Sequence, residues 1–499
     1  MIPFTASQTK GANLRENIKH KTLNAVFWES LSNFIRQIID FIVIVIFARF
    51  VSPEYFGGIA VVGFLIKIFT VIKETGLTVS IVQKEKVNDE YLSTAFHANF
   101  FIGALFFCAV FFGAGFLANA FKMEFLASLI RVGSLVFLIE PLTYVNLILL
   151  IRGVGFKKIM IAETAAAAVY AFCAIGLLLC GAGLVSFAWG LVAASVARTV
   201  LFLKLKTWTP KMVFDFRSLR DLFRFGAAVW SNRVIQLAFY ESDIVIVAFF
   251  LGPLILGYYS LARKIVMFFM NNIRAVLSRV LFSVFSRIKN NLALSRQYYS
   301  STVFYAALLS VPLYVIVVCL SRPLIVVMFG SKWLPALMPL RILCLAGVLN
   351  SLRITAGPML YAQGAPRLVF HAGAIAVLAR VIMLFVLLER AAAGAAAAVA
   401  FSELIIFLQL NITAGRWLRL NPGTLLLRIF PIIVSAGGTA LLLAVFNEQI
   451  DGPLLFAEVV LALFCYAVFL KMLGVDIRGR VYDFFAALSG KGSSLHERK

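Results

Sequence analysis

Residues 50–57 read Phe50-Val51-Ser52-Pro53-Glu54-Tyr55-Phe56-Gly57, and residues 250–257 read Phe250-Leu251-Gly252-Pro253-Leu254-Ile255-Leu256-Gly257. Each octet closes one apolar run and opens the next: 24–50 and 56–80 around the first, 222–250 and 254–285 around the second. A helix needs roughly 20 apolar residues to cross about 30 Å of hydrocarbon, so each octet is the turn of a transmembrane hairpin. Proline and glycine fall at matching places in the two turns. A second echo pairs Ile130-Arg131-Val132 with Leu340-Arg341-Ile342, and Arg152-Gly153 stands where Gln363-Gly364 does in the other half. Two echoes at nearly one offset predict a duplicated bundle.

Composition agrees with lipid as the solvent. The chain is 62% hydrophobic and 14% charged, with mean hydropathy +0.95, whereas a soluble domain averages about 45–50% apolar and 25% charged residues. Further apolar runs lie at 91–118, 125–151, 159–180, 183–205, 295–320, 334–361, 366–388, 391–415, 424–446 and 453–473, which predicts about fourteen spans in all. The six cysteines, Cys108, Cys173, Cys180, Cys319, Cys344 and Cys465, lie in apolar runs without metal-ligand spacing and read as small buried hydrophobes. No metal or cofactor motif occurs, and the stretch before residue 24 is not a signal peptide.

The 46 Lys and Arg outnumber the 23 Asp and Glu, for a net charge of +23. No basic tract interleaved with aromatics lies in a soluble region, so nucleic acid is not an expected partner. Instead Lys84 and Lys86; Arg152, Lys157 and Lys158; Lys204, Lys206, Lys211 and Arg217; Arg287 and Lys289; Arg367; and Arg416 and Arg419 mark alternate loops. Lys/Arg bias sets orientation, which places both termini in the cytoplasm and makes the span number even. An even number of spans per copy gives both copies one orientation, related by an axis along the membrane normal.

The expected architecture is therefore an all-α integral membrane protein of about 14 transmembrane helices. Two six-helix bundles, 24–206 and 222–415, are related by a pseudo-two-fold along the membrane normal, with two additional helices in 416–474. Residues 1–23 and 475–499 are cytoplasmic segments, and 207–221 is a cytoplasmic amphipathic linker. Apolar and basic residues alternate over 211–226, which suits a helix lying at the surface; a plain linker running into the seventh span is the alternative.

Polar residues inside the spans mark the candidate site. Span 1 carries Glu29, Asn33, Arg36, Gln37 and Asp40 on one helical face, and span 7 carries Arg233, Gln236, Tyr240 and Asp243 on one face. Span 8 adds Arg263, Lys264, Asn271 and Arg274, and span 2 adds Lys67, Lys73 and Glu74; Arg131, Arg198, Arg341, Arg353 and Arg380 are scattered through others. A charge at the bilayer centre costs at least about 2.5–3.5 kcal/mol, so such groups face a cavity or a partner. Arg36 and Asp40, four apart, form a pair that would neutralise itself, and Arg198 and Arg380 have the option of snorkelling to the interface. The cationic excess is beyond mutual pairing, and a cationic cleft concentrates anions. Arg36, Arg233, Lys67, Arg263, Lys264, Arg274, Arg131 and Arg353 are the expected anion-binding set. Acidic residues within the spans include Asp40, Glu140, Glu163, Glu241, Asp243 and Glu403; Asp40, Glu163, Glu241 and Asp243 are the foremost candidates for ion coupling, with a fixed arginine partner as the plainer role for each.

Several stretches carry a resemblance: Ala48-Arg49-Phe50-Val51-Ser52-Pro53-Glu54-Tyr55-Phe56-Gly57, Glu74-Thr75-Gly76-Leu77, Val82-Gln83-Lys84 and Arg152-Gly153-Val154-Gly155-Phe156-Lys157-Lys158. Leu256-Gly257-Tyr258-Tyr259-Ser260-Leu261-Ala262-Arg263, Lys332-Trp333-Leu334-Pro335-Ala336 and Leu340-Arg341-Ile342-Leu343-Cys344-Leu345-Ala346-Gly347 extend it. The chain resembles the Wzx-type polysaccharide flippases of the multidrug/oligosaccharidyl-lipid/polysaccharide exporter superfamily, in the branch of colanic acid and succinoglycan exporters. The resemblance implies two six-helix bundles plus two helices, and transport of an undecaprenyl-pyrophosphate-linked oligosaccharide across the bacterial inner membrane. Implied partners are that lipid-linked oligosaccharide, membrane lipid, and a polysaccharide polymerase with its export machinery. Alanine runs at Ala165–Ala168 and Ala391–Ala393 depart from the pattern, so lining residues of those helices are not carried over.

A cation-coupled multidrug exporter of the same superfamily is the alternative, and its cationic cargo would favour an acidic cleft. A membrane polymerase or ligase would need catalytic groups in a large outer loop. The longest one here runs roughly from Ser321 to Trp333, without a nucleophile elbow, phosphate loop or metal cluster.

Overall fold

The computed structural model describes residues 28, 31–73, 80–82, 84, 87–153, 155–205, 208–288, 290–446 and 455–473. Glu29 and Glu74 of the predicted stripes lie outside them. The chain divides into two compact units between Leu237 and Ala238. The first holds α1 (Leu31–Phe50), α2 (Pro53–Lys73), α3 (Asp89–Phe112), α4 (Leu126–Ile139), α5 (Pro141–Arg152), α6 (Phe156–Leu177) and α7 (Val185–Lys204). The division falls inside α8 (Phe216–Ile288). The second unit continues with α9 (Leu292–Cys319), α10 (Leu337–Arg353), α11 (Pro366–Val386), α12 (Ala391–Trp417), α13 (Pro422–Phe446) and α14 (Leu455–Met472).

Local signals fix the helix starts. Pro53 opens α2 with Glu54 in the first turn and Lys73 in the last, which suits the helix dipole at both ends. Asn88 caps α3 by accepting from the Tyr91 N–H at 3.1 Å, and Asn291 caps α9 from the Leu294 N–H at 3.0 Å. The two quoted turns behave differently. Val51 and Ser52 leave the helix before Pro53, whereas at the second turn Gly252 alone is non-helical, at φ 81° and ψ 178°, and breaks α8 there. That left-handed φ favours glycine.

Among the described residues ten helices are long and apolar enough to cross a membrane, or eleven if α4 and α5, bent by 49°, form one span. A count of fourteen therefore requires dividing α8 at Gly252 and adding α13 and α14. The bend sits at Glu140-Pro141, and Gly103 of α3 packs into it. A Cβ on Gly103 would lie 2.4 Å from the Phe137 carbonyl oxygen and 2.6 Å from Pro141 Cγ. In the second unit α9 is the most buried span, and the two C-terminal helices dock on it through Ile316, Leu320, Leu443 and Ala462.

Three sequence expectations are corrected. Of the cysteines only Cys344 is buried, while Cys108 and Cys180 are exposed on their helices, because in lipid an outward thiol carries no penalty that would drive it inside. The stretch from Ser321 to Trp333 is helical, as Ser321–Phe329 and Ser331–Ala336, rather than an open loop. The amphipathic helix predicted from 211 begins only at Phe216. Residues 208–215 are non-helical, held on α3 by the Lys211 N–H to Ser93 Oγ (3.1 Å) and the Asp215 N–H to Thr94 Oγ1 (3.0 Å). Asp215 then caps α8, accepting from the Arg217 and Ser218 N–H groups. Its hydrogen bonding with Ser218 holds its carboxyl below the ordinary range.

Gly103→Val is expected to lower the stability of the detergent-purified protein by about 1–3 kcal/mol, since backbone rather than a movable side chain occupies the space. Thermal unfolding read by size-exclusion chromatography checks it. Unchanged melting would show that α3 does not pack into the bend as described.

Candidate functional site

Each unit contains a cluster of charges among its helices. In the first unit five charged residues alternate in sign. Arg36 of α1 meets Glu163 of α6 at 2.9 Å, and Glu163 meets Arg198 of α7 at 3.2 Å. Arg198 meets Glu140 at the α4–α5 bend at 3.0 Å, and Glu140 also binds Lys73 at the end of α2. Asn33, one turn before Arg36, accepts from its guanidinium as well. Three cations thus share two carboxylates. Arg36 and Arg198 keep side-chain exposures of 32% and 30%, so their charged heads are reachable while both carboxylates are nearly enclosed.

In the second unit Arg263, after the Gly252 break of α8, binds two carboxylates that precede the break, Glu241 at 3.3 Å and Asp243 at 3.1 Å. Tyr259 donates its hydroxyl to Asp243. Glu403 of α12 accepts from Arg353 of α10 at 2.9 Å, with Arg380 of α11 3.7 Å away. Arg380 is 2% exposed, donates to Ser402 Oγ (2.8 Å) and to the Phe239 carbonyl, and lies 4.2 Å from the centre of the Phe239 ring. Arg274 is held by neutral groups, the Tyr240 hydroxyl at 2.9 Å and Asn350 Oδ1 at 3.2 Å. Four arginines here share three carboxylates. A cavity opens on the cluster, lined by Tyr240, Asp243, Arg263, Met270, Arg380 and Glu403 among others. Asp243 is fully buried, and its Oδ1 has no hydrogen-bond partner.

The sequence-derived set divides accordingly. Arg36 sits in the first cluster, and Arg263, Arg274 and Arg353 sit in the second. Lys67, Arg131 and Arg233 are exposed on their helices and Lys264 is half-buried; the structure places none of them in the ion pairs above. Of the coupling candidates, Glu163, Glu241 and Asp243 each hold an arginine, the plainer of their two roles, and Asp40 is exposed on α1.

Two expectations are overturned. Arg36 bonds Glu163 and Asn33, because Glu163 lies on a neighbouring helix within reach of the same face. Arg198 and Arg380 do not snorkel. A carboxylate satisfies each inside the bundle, which removes the drive to reach the interface. Glu140, Arg198, Arg380 and Glu403, read from the sequence only as charges within the spans, and Asn350, not singled out, complete the clusters. The signal was present, since each is a polar group in an apolar run, but their helices have no polar stripe to mark a face.

Glu403→Gln leaves Arg353 and Arg380 without their shared carboxylate and is expected to cost about 3–5 kcal/mol of stability. In a double-mutant cycle with Arg380→Met, the second substitution should cost much less in the Glu403→Gln background than alone. Additive losses in thermal unfolding would mean the two side chains do not interact.

A nearly all-helical chain with two internal charge clusters and ten helices, among the described residues, long and apolar enough to cross a membrane is a multi-span membrane protein. The lipid II flippase MurJ, solved in an inward closed conformation, aligns with a TM-score of 0.76 over 89% of this chain and 98% of that one, at 17% identity, a likeness of fold. The teichuronic acid biosynthesis protein TuaB of Bacillus subtilis is 27% identical over 351 residues, 70% of this chain and 72% of that one. The succinoglycan biosynthesis transport protein ExoT of Rhizobium meliloti is 26% identical over 335 residues, 67% of this chain and 68% of that one. A family model described as polysaccharide biosynthesis protein matches residues 46–338. The chain belongs to that family.

Proposed function

We propose that this protein moves an undecaprenyl-pyrophosphate-linked oligosaccharide repeat unit from the cytoplasmic to the periplasmic leaflet of the bacterial inner membrane, for assembly of a surface polysaccharide. Family membership supports the polysaccharide. The observation that carries the head-group chemistry is the uncompensated positive charge in each cluster, above all Arg274 on neutral partners. A guanidinium held by a tyrosine hydroxyl and an asparagine oxygen keeps its charge available to an anion, and its planar fork fits phosphate oxygens. Arg36 and Arg198, partly exposed and sharing Glu163, are the matching groups of the first unit.

Transport by alternating access exposes the bound head group to one face and then the other, while the prenyl chain stays in lipid. The Lys/Arg bias of alternate loops supports cytoplasmic termini. The domain scheme remains two six-helix bundles, 24–206 and 222–415, with two additional helices. A polymerase and export machinery take over the delivered repeat unit. Asp243 is the coupling candidate with an oxygen still open, since it lines the cavity with Oδ1 unpartnered. The multidrug-exporter alternative requires an acidic site for cationic cargo, and each cluster carries the opposite balance.

Deleting the gene in its host is expected to abolish the polymer and trap lipid-linked repeat units on the cytoplasmic face, as read by mass spectrometry. Arg274→Ala should lower restored polymer about tenfold or more with normal protein levels, and Arg274→Lys should recover part of it, since the charge returns without the fork. Normal polymer in the deletion strain, in the absence of a second flippase, would overturn the proposal.

A further inference from the structure

The segment between the sixth and seventh predicted spans is anchored on one side and open on the other. Its backbone is tied to the start of α3 through Ser93 and Thr94, both fully buried. Trp208 donates to Asp89 Oδ1 at 3.2 Å, and the Lys211 ammonium meets Asp89 Oδ2 at 2.6 Å. At the start of α8, Leu222 is fully buried against Ile81, Tyr91, Leu92 and Tyr144. These ties leave the other face outward. Met212 is 97% exposed, Phe216 76% and Phe214 45%, with the Phe214 and Phe216 rings in edge contact at 5.1 Å.

In the non-helical part Met212, Val213 and Phe214 are all exposed, between the Lys211 and Asp215 N–H groups that bind α3. In the helix, a rotation of 100° per residue puts Phe216, Arg220, Arg224 and Arg217 on one face, turned away from Leu222. The three arginines are exposed, with Asp221 beside them and Asp215 capping the helix next to Arg217. Exposed apolar tips flanked by arginines do not suit open water. The segment follows directly on the end of α7 and rests on the start of α3, both apolar spans, so the nearest surface it meets is the lipid headgroup layer. We infer that the outward face of residues 211–224 binds anionic phospholipid, with Met212, Phe214 and Phe216 entering the acyl boundary and Arg217, Arg220 and Arg224 holding the headgroup phosphates.

The test uses the full chain in nanodiscs of phosphatidylcholine, alone or with phosphatidylglycerol, and hydrogen–deuterium exchange of peptides covering 208–224. The open-face amides exchange about tenfold more slowly with the anionic lipid, an advantage consistent with several basic groups at a charged surface. Charge reversal by Arg217→Glu/Arg220→Glu/Arg224→Glu removes the difference between lipids, and Met212→Ser/Phe214→Ser/Phe216→Ser lowers protection in both. Equal exchange of the wild-type protein in the two lipids overturns the inference without reliance on any variant. So does the same protection from inorganic phosphate in phosphatidylcholine discs, which would assign the face to a soluble anion.

Discussion

A charge placed among apolar helices needs an opposite charge or a dipole within reach, and this requirement organises both units. Desolvating one ion costs several kcal/mol even after relaxation, so the helices that carry Arg36, Arg198, Lys73, Glu140 and Glu163 are held in the mutual positions that pair them. The same holds for Arg263 with Glu241 and Asp243, and for Arg353 and Arg380 with Glu403. Apolar packing alone gives weak discrimination between helix neighbours in lipid, because lipid tails are as apolar as leucine. The ion pairs supply the discrimination, and small residues allow the approach. A Cβ on Gly190 of α7 would lie 2.7 Å from Ala174 Cβ of α6, and one on Gly347 of α10 would enter the Tyr314 ring of α9.

The two units solve this problem with related parts in different order. In the first, the glutamate sits on α6 and the arginine on α7, as Glu163 and Arg198. In the second, the arginine comes first, as Arg380 on α11 and Glu403 on α12. Both units also interrupt a span near a charged group: Glu140 stands at the α4–α5 bend, and Arg353 ends α10 before the turn at Ile354 and Thr355. Breaks of this kind expose backbone polar groups, which inside a membrane protein are tolerated where protein or a polar cavity satisfies them. Pairing constrains only the sum of charge in each helix pair, so either order of the two groups satisfies it.

The excess of one positive group in each cluster separates structure from function. Helix placement requires pairs, and pairs alone would be neutral. An arginine left on a tyrosine and an asparagine adds nothing to that requirement; under the proposed function an anionic cargo gives it a role. The linker follows the same division of labour: Ser93, Thr94 and Leu222 fix it, and the arginines and aromatic tips opposite are left for a partner.

Much of this was legible in the chain. Twenty-residue apolar runs, the Pro-Gly turns and the Lys/Arg alternation specify a multi-span helical protein, because bilayer thickness and backbone hydrogen bonding leave a chain of this hydropathy few alternatives. Charges at 3–4 residue spacing identified Arg36 and the Tyr240–Asp243 stretch. What a single helix cannot reveal is which neighbour its charge meets. Arg36 has Asp40 one turn away in sequence but takes Glu163, 127 positions distant. Arg380, with the length to snorkel, is enclosed by Ser402, Glu403 and Phe239. The sequence by itself determined that the charges lie in the membrane and that cations outnumber acids. Only the tertiary structure decided which charges pair with which, because Coulomb energy depends on distances between helices that no linear spacing encodes.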